Sequence, residues 1–278
     1  MSNEREHTVI DKQSIVKALI EEWASIDALV RELDEDQWAA STPCPGWSVH
    51  NVIAHIVGTE LSLAGQTPPE SDIDVSALAH VHNDIGVLNE KWIQAFSQLS
   101  PAELIERFRT VTGDRARTLE AMSDEDFAAP SWTPAGKATY GRFMRIRVFD
   151  CWMHEQDIRD AIGATGGMDS VSADYSVDEI VQGLGYIVGK LGNAPDGSSI
   201  TFDLTGSRPR RAHVDVTGRA QVVEELAGPA TVTIALPTGD FTRLCGGRID
   251  ASAALDRIEY LGDESLGLQI VQSLAFTK

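Results

Sequence analysis

From Gln13 to Leu33 apolar residues return every three or four positions, as Ile15, Leu19, Trp23, Ile26, Leu29, Val30 and Leu33. That period puts them on one buried stripe of a helix. The STPCPGW segment at 41–47 interrupts the pattern with two prolines and a glycine, and Ser48 then stands as an N-cap. A second helix follows through Val49, Val52, Ile53, Ile56 and Val57. Residues 65–74 read as a loop, and a third helical period runs from Leu78 to Leu99 through Ile85, Leu88, Trp92 and Phe96. Ser100 and Pro101 supply an N-cap and first-turn proline for a segment through Leu119, expected to continue the third helix's direction after a kink. A polar loop rich in proline, threonine and glycine leads to a last helix from about Tyr140 to Ile162, closed by Gly163 and the GATGG run. Four principal helices with modest connections predict a bundle whose facing side chains can build a site in its core.

After Gly167 the period changes. Residues 176–191 still read as helix, but ITFDLT (200–205), AHVDVT (212–217), AQVVEEL (220–226) and ATVTIAL (230–236) alternate as half-buried strands do. Helical stretches near 238–246 and 264–274 close the chain. The pattern predicts a multidomain α and α+β protein: a helical bundle over 1–166 and a small α+β domain over 167–278, with the boundary inside 164–172.

Composition agrees with two cores, since 278 residues exceed the roughly 150 of one typical domain. A hydrophobic share of 42% and a charged share of 23% rule out a disordered or fibrous chain. Charge changes the picture more. With 23 Lys plus Arg against 42 Asp plus Glu, the net charge of −19 repels nucleic-acid phosphates and anionic lipid, so neither nucleic acid nor membrane is an expected partner. No apolar run reaches the ~18 residues of a membrane helix, and MSNEREHTVID at 1–11 lacks a signal-peptide core, which predicts a cytoplasmic protein. Cys44, Cys151 and Cys245 are widely spaced, without a CxxC pair, and predict no disulfide framework.

Candidate chemistry gathers on two helices. Asp150 and His154 are four residues apart and share one helix face, and His55 lies in the apolar run of the second helix, pointing inward. Two imidazoles and a carboxylate suit a catalytic Zn²⁺ or similar divalent ion, with a position left for water or substrate. The bland alternatives are a hydrogen-bonded core histidine and an ordinary Asp–His surface pair. Asp157 and His50 are competing donors that could replace Asp150 or His55. Arg142, Arg145 and Arg147 cluster before Asp150, and Arg147 shares its face, where it could clamp a carboxylate-bearing substrate or simply pair with acids. Glu155 points away from that face and suits structural work. Cys44, before the second helix, could be reactive or a fourth ligand but is expected to pack. Trp47 and Trp152 either line a pocket or fill the core, and Arg208, Arg210, Arg211 and Arg219 form a local basic patch whose default is a solvated face.

PCPGWSVHNVIAHI at 43–56 and RVFDCWMHEQDIRDAIG at 147–163 resemble the two signatures of the mycothiol-dependent maleylpyruvate isomerase family. The resemblance implies a DinB-like four-helix bundle that binds zinc through His55, Asp150 and His154, followed by a sterol-carrier-protein-like domain over 170–278. The family's carboxylate is commonly Glu, so the shorter Asp150 bears on metal preference. Further implied are mycothiol as thiol cosubstrate, a small electrophilic substrate, and isomerase or thiol-transferase chemistry in which a thiol adds to a cis double bond. In that setting Arg147 is the expected catalytic residue. The alternative on the same scaffold is a non-catalytic small-molecule, lipid-binding or regulatory protein.

Overall fold

Helix α1 spans Lys12–Val30, capped by Asp11, whose carboxylate accepts from the Ser14 amide. It buries Ile15, Leu19, Trp23, Ile26 and Val30 and stops short of the predicted end at Leu33. These positions come from a computed structural model that describes residues 11–71 and 73–277. The segment 1–11 read above thus lies, apart from Asp11, outside the described residues, as does Asp72 of the predicted loop. A short α2 (Glu35–Ala39) precedes α3 (Val49–Leu63), which opens with a Ser48–Asn51 capping box.

The third predicted helix is corrected. Helix α4 covers only Asp84–Phe96, because the Asn83 side chain caps the Gly86 amide, and Ile85 and Leu88 face outward while Trp92, Ile93 and Phe96 are buried. Helix α5 (Pro101–Ala121) starts with a Ser100–Glu103 capping box and does not continue the direction of α4. Trp92 Nε1 donates to Ser62 near the end of α3, the Leu99 carbonyl meets His50 Nε2 near its start, and Arg115 meets Glu60 near its end again. The chain therefore runs down α3 and back, and α5 rather than the 78–99 segment is the third bundle helix.

A four-residue α6 (Asp124–Phe127) follows. The expected polar loop contains an antiparallel hairpin of β1 (Pro130–Thr133) and β2 (Gly136–Thr139). Helix α7 (Tyr140–Ile162) is capped by Thr139 and ended by Gly163, whose φ of 67° is the left-handed conformation that favours glycine. In the bundle α1 packs on α5 and α7, and α3 packs on the same two helices, so the inward faces of α3 and α7 meet.

The second compact unit begins after Gly167. Helix α8 (Val171–Tyr186) runs into a π-helical turn at Ile187–Leu191. Strands β3 (Ser199–Thr205), β4 (Arg210–Thr217), β5 (Arg219–Val223) and β6 (Val232–Pro237), helix α9 (Thr238–Cys245), strand β7 (Glu259–Gly262) and helix α10 (Glu264–Val271) complete it. The sheet order is β5-β4-β3-β6-β7, antiparallel except for the β3–β6 pair. Alternate residues Val214, Val216, Val232, Ile234 and Leu236 are buried, as the period-two pattern requires. The 220–226 reading overran β5, and β7 was not foreseen. Three arginines of the basic patch are paired: Arg208 and Arg210 meet Asp174 and Asp178 on α8, and Arg211 meets Asp203. No described helix is long and apolar enough to cross a membrane. The fold class is the expected one in its layers, a helical bundle followed by a small α+β domain.

Gly58 sets the approach of α4 to α3, since a Cβ there would lie 2.3 Å from Trp92 Cβ. Although alanine is the better helix former, Gly58→Ala should lose about 1–3 kcal/mol from overpacking, measured as a lowered urea midpoint. A midpoint at or above wild type would contradict this account.

Candidate metal centre

Helix α3 presents His55 and helix α7 presents Asp150 and His154 to one point. His55 Nε2 lies 3.3 Å from Asp150 Oδ2, His154 Nε2 lies 3.7 Å from Asp150 Oδ1, and one ligand atom from each residue lies within 4.8 Å of the others. Four-coordinate zinc with nitrogen and oxygen ligands at about 2.0–2.1 Å separates neighbouring ligand atoms by about 3.3 Å, so the cluster needs only a small contraction to enclose an ion. Both imidazoles are buried, whereas the Asp150 side chain keeps 31% of its surface exposed, so the cluster opens to solvent on the carboxylate side. The donor set fits a divalent cation.

A buried ionic network sets Asp150. Arg147 Nη1 donates to Asp150 Oδ2, its Nε donates to Glu60 Oε1 at 2.9 Å, and its Nη2 faces Cys151 Sγ at 3.3 Å. Glu60, fully buried on α3, accepts from Arg115 Nε at 3.0 Å through its other oxygen, and Arg115 Nη2 donates to the Tyr140 hydroxyl at 2.7 Å. All guanidinium nitrogens of Arg147 are thus engaged inside the bundle and the residue is 2% exposed, which does not suit the substrate clamp expected of it. Burial works to raise the Asp150 carboxyl, but the charges of Arg147, His154 and His55 outweigh it and hold the group well below the usual carboxylate range. Burial pushes the His55 ring below the usual histidine range, against the pull of Asp150, which keeps a neutral ring able to ligate. Burial likewise pushes the Cys151 thiol up.

The competing donors separate. His50 is turned to the Leu99 carbonyl, 2.9 Å from its Nε2, and takes no part in the cluster. Asp157 Oδ2 lies 2.9 Å from His154 Nδ1, on the ring's far side, and Cys44 Sγ donates to the same oxygen at 3.2 Å. Glu155 is buried and accepts from Ser25 and Arg159, so its work is structural. Trp152 is core, donating to the Gly167 carbonyl at 3.0 Å. Trp47 belongs to the site: its ring lies 5.0 Å from that of His55 and 5.7 Å from that of His154, and its Nε1 donates to buried Glu90 at 2.6 Å. Reading by residue type passed over Glu60 and Glu90. Glu60 left a signal, an acid among Ile53, Ile56 and Val57 on an apolar stripe.

Fold and site together define a helical-bundle protein with an inward His–Asp–His cluster. Residues 19–159 match the model of the mycothiol maleylpyruvate isomerase N-terminal domain, and residues 174–269 match that of its C-terminal domain. The chain belongs to the mycothiol maleylpyruvate isomerase family. Its fold is similar to the crystal structure of the mycothiol-dependent maleylpyruvate isomerase, with a TM-score of 0.59 at 14% identity over 90% of this chain and 92% of that one. A mutant of that isomerase gives a TM-score of 0.58 at 13% identity, with the same coverage of both chains. Uncharacterized proteins from two strains of Mycobacterium tuberculosis are each 30% identical over 156 residues, 55% of this chain and 58% of their own length. The match thus spans a little over half of those relatives.

Removing the Glu60 carboxylate should leave the buried Arg115 guanidinium without its ion-pair partner and take one of two from Arg147, so Glu60→Ala is expected to cost about 3–5 kcal/mol in denaturant unfolding. A loss below about 1 kcal/mol would show that the network is not a stability element. Acid should weaken the metal-free protein in two stages. Below the usual histidine value of 6.5, an unfolded His55 takes up a proton that the buried ring refuses, so stability falls as pH drops. Asp150 contributes stability that is present above its usual 3.8 and is lost as pH falls toward its lower native value. Urea midpoints measured against pH should therefore decline from about pH 6.5 downward, and a flat profile to about pH 4 would refute this.

Proposed function

We propose that the protein is a metal-dependent, mycothiol-using isomerase or thiol transferase acting on a small electrophilic substrate, with a divalent cation, Zn²⁺ in the first instance, held by His55, Asp150 and His154. The observation that carries this reading is the convergence of three ligand atoms from two helices at a point open on one side. A bound ion there would supply Lewis-acid stabilisation of a thiolate sulfur at neutral pH. Membership of the family supports mycothiol as that thiol, and a small-molecule rather than polymeric substrate.

The chain's own residues divide the remaining work. His55, kept neutral by burial, presents a lone pair, and Asp150, kept ionised, presents Oδ1 while its Oδ2 is held by Arg147. Arg147 in this proposal orients Asp150 and does not touch substrate. Trp47, anchored through Glu90, forms an aromatic wall beside the imidazoles that excludes water from one flank of the reacting sulfur. The shorter Asp in place of Glu would bear on which metal the cluster prefers.

Metal analysis of the purified protein should find close to one divalent ion per chain, lost in His55→Ala and in His154→Ala. Retention of the ion in both variants rejects the site. A screen of small cis-enone acids, maleylpyruvate among them, should show turnover that requires mycothiol. Turnover unaffected by omitting the thiol would reject the thiol-dependent reading.

A further inference from the structure

Two clusters of metal-type donors share His154. His55 and Asp150 lie near its Nε2, and Cys44 and Asp157 lie near its Nδ1, each group with donor atoms within 4.8 Å of one another. Cys44, His154 and Asp157 are all buried. Either the second group is another ligand set or it holds the imidazole that serves the first.

A neutral imidazole has one N–H and one lone pair. Nδ1 lies 2.9 Å from Asp157 Oδ2, a hydrogen-bond separation, so the tautomer with its proton on that nitrogen can donate to the carboxylate and leaves its lone pair at Nε2, facing Asp150. Cys44 Sγ is 3.2 Å from the same carboxylate oxygen but 4.0 Å from Nδ1, which makes the thiol a donor to Asp157 rather than a neighbour poised on the ring. The loop that carries Cys44 also carries Trp47, so one short segment braces the carboxylate behind His154 and walls the imidazoles in front.

We propose that Asp157, steadied by the Cys44 thiol, is a positioning residue that fixes the tautomer and ring angle of His154 and thereby sets the affinity of the His55–Asp150–His154 cluster for a divalent cation. This rests on the reading of that cluster as a metal centre. Partners of this kind behind a ligating histidine typically change metal affinity about 10–100-fold when removed.

Co²⁺ titration of the metal-stripped full chain, followed by visible absorption, tests this without a substrate. Asp157→Ala should weaken Co²⁺ binding about 10–100-fold and shift the ligand-field bands. Asp157→Asn, which keeps an accepting oxygen, should fall between Asp157→Ala and wild type, and it serves as the test if circular dichroism shows Asp157→Ala unfolded. Cys44→Ser, still a donor, should stay close to wild type. Wild-type affinity in both Asp157 variants, with binding abolished in His55→Ala, overturns the proposal and leaves the metal centre standing. A sulfur-to-cobalt charge-transfer band in wild type that Cys44→Ser removes makes Cys44 a ligand and overturns it too. Absence of Co²⁺ binding by the wild-type chain removes the metal-centre reading and this proposal together.

Discussion

The carboxylate of Glu60 is the point on which the bundle's chemistry rests. A charge with no solvent contact is tolerable only when opposite charge and hydrogen bonds surround it, and Glu60 meets that demand with one oxygen on Arg115 and the other on Arg147. The three residues come from α3, α5 and α7, so the ion pairs that neutralise Glu60 also fix how those helices face each other. Arg147 then passes the constraint outward to Asp150. Glu60, Arg115, Arg147 and Asp150 together carry no net charge. Without Glu60 the Arg115 guanidinium would lose its ion-pair partner and Arg147 would keep only Asp150, so the tie that fixes Arg147 between α3 and Asp150 would be lost.

Neutrality before any cation arrives has a consequence for the site. A dication bound beside Asp150, as proposed, would meet Arg147 as a nearby like charge, and what offset that repulsion would have to come from elsewhere in the protein. Asp157, buried on the far side of His154, is placed to do so, and the net charge of −19 raises the cation concentration around the chain as a whole. Two carboxylates bracketing one imidazole thus differ in setting: Asp150 is on the cluster's solvent-open side, and Asp157 faces the core.

Much of this was legible in the sequence where local rules decide the outcome. Ser48, Ser100, Pro101 and Gly163 mark helix ends by capping chemistry that needs no tertiary context, and all four mark helix ends in the structure. The three cluster residues were legible too, by helical spacing and by resemblance. What local rules do not encode is direction. A proline after Phe96 is compatible with a kink or with a reversal, and only the contacts of Trp92, Leu99 and Arg115 along α3 distinguish them. Strand β7 escaped for a related reason: four residues at a sheet edge, with Leu261 exposed, carry no burial pattern to read.

The arginines show the same limit in sharper form. Arg147 on the face of Asp150 reads as a substrate clamp if the helix is considered alone, because a guanidinium beside a reactive site is the usual device for holding a carboxylate. The reading changes once α3 is laid against α7, since Glu60 then occupies the fork that a substrate would need. An acid within the apolar stripe of Ile53, Ile56 and Val57 is costly unless a cation waits opposite, so Glu60 and Arg147 predict one another. Arg147 read singly suggested function and Glu60 was passed over, whereas the pair read together specifies the architecture that positions Asp150.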